Sequence, residues 1–206
     1  MRKFFAAAVA SAVALVGFAG MANASATIDL IWAANGTDTI ESVADGSAIT
    51  LQVILTAGPA GSQGGGVSVD YSGALPGVSV VAFASTIGGP LPLLLGSTTD
   101  TGSRVENINS ASFPPYVGTG LTAAGQSHQL GTVTFNKDAS LGNGTFEIRS
   151  DANGPTDDVL NLAGTVITGT STFNSAFLIN VPEPGAIAML AMGLGGMLLA
   201  GRGRRS

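Results

Sequence analysis

The chain has 206 residues with no cysteine, one histidine, and eight Lys and Arg against thirteen Asp and Glu, a formal charge of −5. Disulfide stapling is therefore excluded, the usual ligands of a catalytic zinc are missing, and the acidic balance argues against nucleic acid as a partner. Apolar residues make up 45% and charged residues only 10%, so the fold must rest on a hydrophobic core.

The first stretch, MRKFFAAAVASAVALVGF, sets Arg2 and Lys3 ahead of an apolar run from Phe4 to Phe18, and Ala22-Asn23-Ala24 follows. A charged start, an apolar run and small residues at the cut mark a secretory signal peptide over residues 1–24. Signal peptidase is expected to cut after Ala24, with Ala24-Ser25-Ala26 as a second frame. The apolar run is too short to span a bilayer comfortably as a permanent anchor.

Residues 25–180 follow as one ectodomain, in which Arg104, Lys137 and Arg149 are the only basic residues against twelve acids, a net −9. Period-two alternation is plain in Ile28, Leu30, Trp32; in Ile49, Leu51, Val53, Leu55; in Val67, Val69, Tyr71; and in Val133, Phe135 and Phe146, Ile148. Turn chemistry separates these runs at Asn35-Gly36, Asp45-Gly46, Gly64-Gly65-Gly66, Pro76-Gly77, Gly88-Gly89-Pro90 and Gly142-Asn143-Gly144. The pattern predicts strands near 27–33, 48–56, 66–72, 78–84, 91–95, 130–136, 144–149, 164–173 and 175–180. Residues 96–129 are too long for a bare loop, and a further strand is expected around Arg104–Ile108.

Strands separated by Gly-rich turns, with no fixed repeat, predict an all-β fold: a two-sheet antiparallel sandwich of cohesin-like or immunoglobulin-like type. An N-terminal signal helix and a C-terminal transmembrane helix are expected to flank it. GVSVDYSGALPGVSVVAF and LGTVTFNKDASLGNGTFEI resemble paired strands of cohesin-type modules, where an extended strand ends near a Tyr, turns, and re-enters as a Val-rich strand. That resemblance implies a non-catalytic module that binds partner proteins or glycan scaffolds.

Catalytic candidates are few. His128 is the single histidine, Gly125-Gln126-Ser127-His128-Gln129 misses the nucleophile-elbow pattern at its fifth position, and neighbours such as Ser127 and His128 point to opposite faces of a strand. His128 therefore reads as a surface residue beside a strand start. Gly118–Ala123 formally matches a dinucleotide fingerprint but lies in a loop. A glycosidase needs two facing carboxylates, and no pair is signalled among acids that sit largely in turns. The stretch Asp151-Ala152-Asn153-Gly154-Pro155-Thr156-Asp157-Asp158 gathers the hard oxygens that calcium prefers, and Asp151, Asn153, Asp157 and Asp158 are its candidate ligands. Its glycine is misplaced for an EF-hand and Leu162 stands where the closing Glu belongs, so a solvated acidic turn competes with the metal site. Thr168, Thr170 and Thr172 alternate as one face of a strand would.

The chain ends VPEPGAIAMLAMGLGGMLLAGRGRRS. The prolines of Val181-Pro182-Glu183-Pro184 hold an extended strip that a protease can read. Residues 185–201 carry no charge and, as a transmembrane helix, would cover about 25 Å of a hydrocarbon core about 30 Å thick. Arg202, Arg204 and Arg205 in the basic tail 202–206 would hold that end in the cytoplasm. This order of features over residues 181–206 resembles the PEP-CTERM sorting signal. The resemblance implies processing by an exosortase-type membrane transpeptidase and delivery to the cell surface or exopolysaccharide matrix of a Gram-negative bacterium. The expected function is non-catalytic adhesion or scaffolding, with exopolysaccharide or a surface protein as ligand; the alternative is an exported carbohydrate-active hydrolase.

Overall fold

The computed structural model describes residues 25–41, 46–72, 77–112, 120–138, 144–154, 157–180 and 192. The signal peptide, the Val181–Pro184 motif, the 185–201 span apart from Met192, and the arginines of the tail lie outside the described residues. Among those described, no helix is long and apolar enough to cross a membrane.

Among the described residues twelve strands form two sheets. They are β1 (Ala26–Trp32), β2 (Thr39–Glu41), β3 (Ala48–Ala57), β4 (Gly64–Asp70), β5 (Val78–Ser85), β6 (Thr99–Asp100), β7 (Arg104–Ala111), β8 (Ser127–Lys137), β9 (Gly144–Asp151), β10 (Val159–Leu160), β11 (Thr172–Phe173) and β12 (Ser175–Asn180). One sheet runs β11-β1-β3-β8-β5; the other runs β2-β12-β9-β4-β7-β6, with β10 also paired to β4. Pairing is antiparallel except for β1 with β11 and β12 with β2.

Alternation explains the sandwich. Ile28, Leu30 and Trp32 of β1, Leu51, Val53 and Leu55 of β3, and Val133 and Phe135 of β8 face Val67 and Val69 of β4, Ile148 of β9 and Leu178 of β12 across a single core. Trp32 and Tyr71 pack edge-on against Phe135, with ring centroids 6.2 and 5.7 Å apart. The polar tips of both rings find partners: Trp32 Nε1 donates to the Phe177 carbonyl at 3.1 Å, and the Tyr71 hydroxyl to Asp100 at 2.6 Å.

Three expectations need correction. Residues 91–95 form no strand, because Pro90 and Pro92 remove two donors; the segment is tied down by single bridges at Leu91 and Leu93 and by burial of Leu91. Residues 164–173 do not run as one strand either. Asn161 Oδ1 accepts the N–H groups of Ala163 and Thr165, and a 3-10 turn follows at Thr168–Thr170, so the three threonines share no sheet face. Gly64-Gly65-Gly66 is the start of β4 rather than a turn. A Cβ on Gly65 would lie 2.4 Å from the Asp158 carbonyl, and one on Gly64 2.0 Å from that of Ser110, so only glycine lets β7 and β10 close on this strand. The strand expected at 104–108 is β7.

Candidate functional site

The outward positions of the seven-stranded sheet carry two of the ectodomain's three basic residues. Arg104 starts β7 and stands opposite Asp70 of β4, which stands opposite Arg149 of β9. Glu147 and Asp151 flank Arg149 on the same face of β9, two residues to either side, as strand periodicity requires. Arg104 Nη2 donates to Asp151 Oδ2 at 2.6 Å and reaches Asp70 Oδ2 at 3.4 Å. Arg149 forks onto Glu147 Oε2 through Nε at 3.0 Å and Nη2 at 2.7 Å, while Ser175 Oγ donates to Oε1 at 2.7 Å.

The electrostatics follow from these contacts. Burial raises the Asp70 carboxyl, but the hydrogen bonds from Ser72 and the Arg104 guanidinium outweigh it and hold the group below the usual carboxylate value. Hydrogen bonds from Arg149 and Ser175 lower Glu147 in the same way. The result is an interlocked charge lattice with little relief: a depression of about 120 Å³ lies among Asp70, Ser72, Glu147 and Arg149. A larger depression of about 530 Å³ lies at the seam of the sheets, lined by Asp29–Ile31, Thr37, Asp38 and Phe173–Ser175 among others.

The described side chains of the acidic stretch take different partners. Asp151 is engaged by Arg104, and its Oδ1 accepts the Asn153 N–H at 3.2 Å. Asp157 turns inward and is 5% exposed; its Oδ2 accepts bonds from Ser68 Oγ and from the Gly154 N–H at 2.7 Å. Desolvation raises this carboxyl above the usual range. Asp158 stays exposed, 3.4 Å from Thr168 Oγ1. Among the described residues no three His, Cys, Asp or Glu side chains are grouped to hold a metal. His128 lies within β8 opposite Leu55, half-buried on the core side, and its Nε2 is buried without a protein partner. Ser127 faces the other way and meets Thr56 Oγ1 at 3.3 Å. Sequence reading missed the lattice, although Glu147, Arg149 and Asp151 alternate on one strand and signal it.

Residues 180–205 match the family model of the PEP-CTERM protein-sorting motif. No curated protein matches the chain. The sandwich is similar to solved cohesin modules. One is the third cohesin of ScaC from Acetivibrio cellulolyticus, with 13% identity and a TM-score of 0.52 over 76% of this chain and 99% of that one. The seventh ScaB type I cohesin of Pseudobacteroides cellulosolvens shows 7% identity and a TM-score of 0.52 over 76% and 92%. A type III cohesin module of ScaE from Ruminococcus flavefaciens shows 11% identity and a TM-score of 0.51 over 77% and 89%. The chain thus joins a cohesin-like β-sandwich to a C-terminal PEP-CTERM protein-sorting motif.

Proposed function

We propose that this is an exported surface protein whose sandwich is a non-catalytic adhesive or scaffolding module, delivered by its C-terminal sorting signal. The observation that carries the reading is the sorting motif at 180–205, beginning at Asn180, the last residue of β12, so that the signal follows the folded module without a second domain between them. In this reading signal peptidase cuts after Ala24, residues 185–201 hold the chain in the inner membrane, and Arg202, Arg204 and Arg205 keep the end cytoplasmic. An exosortase-type transpeptidase acting at Val181–Pro184 then passes the protein to the cell surface or the exopolysaccharide matrix.

The Acetivibrio cellulolyticus cohesin was solved in complex with a dockerin. For this chain we infer a partner protein recognised on the Arg104–Asp70–Arg149 lattice, where charges set register and selectivity more than affinity. The same lattice argues against the hydrolase reading, since carboxylates matched to guanidinium groups are not a facing acid pair across an open cleft. Surface labelling of intact native cells tests the proposal. Wild type should be labelled, and a chain with Glu183→Ala should stay in the membrane fraction at its uncut size. Release of that variant at wild-type size would contradict the role given to the motif.

A further inference from the structure

At the seam of the two sheets β1 has an open edge. β3 pairs along one side of it, but on the other side β11 reaches only Thr27 and Ile28. The chain then crosses to the seven-stranded sheet, after a last bond in which the Asn174 N–H donates to the Ile28 carbonyl at 2.9 Å. The edge closes again at Trp32, whose N–H donates to the Thr37 carbonyl at 2.7 Å. Backbone groups of alternate residues share a side of a strand, so Leu30, midway between Ile28 and Trp32, turns its N–H and C=O to the gap. Among the described residues neither group has a hydrogen-bond partner. The gap opens into the depression of about 530 Å³, a volume within the range of ligand sites. Asp29 and Asp38 line it, and among the described residues no lining side chain is basic. Asp29 Oδ1 accepts the Asn174 amide at 2.7 Å and Asp38 Oδ1 the Thr39 hydroxyl at 3.2 Å, both neutral donors, so neither carboxylate meets a cation. Phe173 and Phe177 add apolar wall.

These groups select an occupant by chemistry. A strand N–H and C=O from one residue match the C=O and N–H of an extended peptide, which pairs with a free edge as a short added strand. Carboxylates without a cation call for an ammonium or guanidinium group, and the rings suit the apolar stem of a Lys or Arg side chain. A neutral glycan would leave both carboxylates without a counter-charge, and an anionic chain would be repelled by them. We propose that this cleft holds an extended segment of a partner protein, its backbone bridged to Leu30 and an Arg or Lys side chain received by Asp29 and Asp38. The cleft lies apart from the Arg104–Asp70–Arg149 lattice and is a second point of attachment; the assignment rests on the reading of the sandwich as a binding module and names the peptide chemistry it takes.

Fluorescence anisotropy tests it, with the purified full chain in chelator and short labelled peptides blocked at both ends, alanine throughout except for a central Arg, Lys or Glu. The Arg and Lys peptides should bind and the Glu peptide should not. Methylating the backbone nitrogen of the central Arg should weaken binding at least tenfold, because it removes the donor to the Leu30 carbonyl. Asp29→Asn combined with Asp38→Asn should also weaken binding at least tenfold at an unchanged melting temperature, since asparagine still accepts the bonds from Asn174 and Thr39. In an amide NMR titration with the Arg peptide, the Leu30 resonance should move. No binding of the Arg or Lys peptide at millimolar concentration, equal binding of the Glu peptide, full binding by the double variant, or displacement of the Arg peptide by a neutral oligosaccharide would overturn the proposal. Peptide binding without surface labelling of intact cells would overturn the export reading and leave this assignment standing.

Discussion

Arg104→Leu removes the cation between Asp70 and Asp151 while keeping an aliphatic side chain at that position. A hydrogen bond to a charged group contributes about 1.5–3 kcal/mol. The 2.6 Å bond to Asp151 counts nearly in full, and the 3.4 Å contact with Asp70 adds little. Side-chain exposures of 18–27% leave some solvent screening, so the expected loss is about 1–3 kcal/mol. For a domain of this size that is a fall of about 3–10 °C in melting temperature. The pH dependence separates charge from packing. Because the folded state holds Asp70 below its ordinary value of 3.8, its contribution is complete above that pH and is lost as pH falls through the folded value. Thermal melts of wild type and variant should therefore differ more at pH 7 than below pH 3.8, by the share that Asp70 contributes. An equal difference at both extremes would show that Arg104 acts through packing and would refute the electrostatic account.

Gly65→Ala should lower the melting temperature by about 3–10 °C, since the added methyl cannot avoid the Asp158 carbonyl without parting β10 from β4. Asp157→Asn should alter the pH profile of stability in denaturant melts. The raised carboxyl of the wild type contributes fully below its unfolded value, and that contribution is lost as pH rises through the folded value; a variant that retains this slope would show another group to be responsible. Millimolar calcium should leave the melting temperature of the metal-free protein unchanged, given that Asp151 and Asp157 already have partners. Binding at a hundredfold excess over Kd would instead add about 2.7 kcal/mol. A rise of that size, abolished by Asp157→Ala with Asp158→Ala, would assign the stretch to calcium.

How far the sequence could be read depended on whether one face of a segment is buried. β1, β3 and β8 alternate because one side meets the core, and so their hydrophobic positions announce them. β6, β10 and β11 are two residues long and exist only because a neighbour supplies the ladder, a long-range fact that no local pattern encodes. Gly64–Gly66 misled for a related reason: three glycines look like a turn until the close approach of β7 to Gly64 and of β10 to Gly65 shows why two of them carry no side chain. The charged lattice was half legible, since Glu147, Arg149 and Asp151 share a face of one strand, but the meeting of Arg104 with Asp151 depends on a pairing across 47 residues. The acidic stretch 151–158 reads as one loop in sequence, yet burial turns Asp157 inward while Asp158 stays exposed.

The central claim is that the chain is exported and its tail removed at the sorting motif. The intact mass of the protein recovered from the surface of its native cells tests this most directly. The account predicts a mature chain that begins at Ser25 and lacks the charge-free 185–201 segment and the three arginines behind it. A mass that still includes residues 1–24 or 185–206 would contradict it.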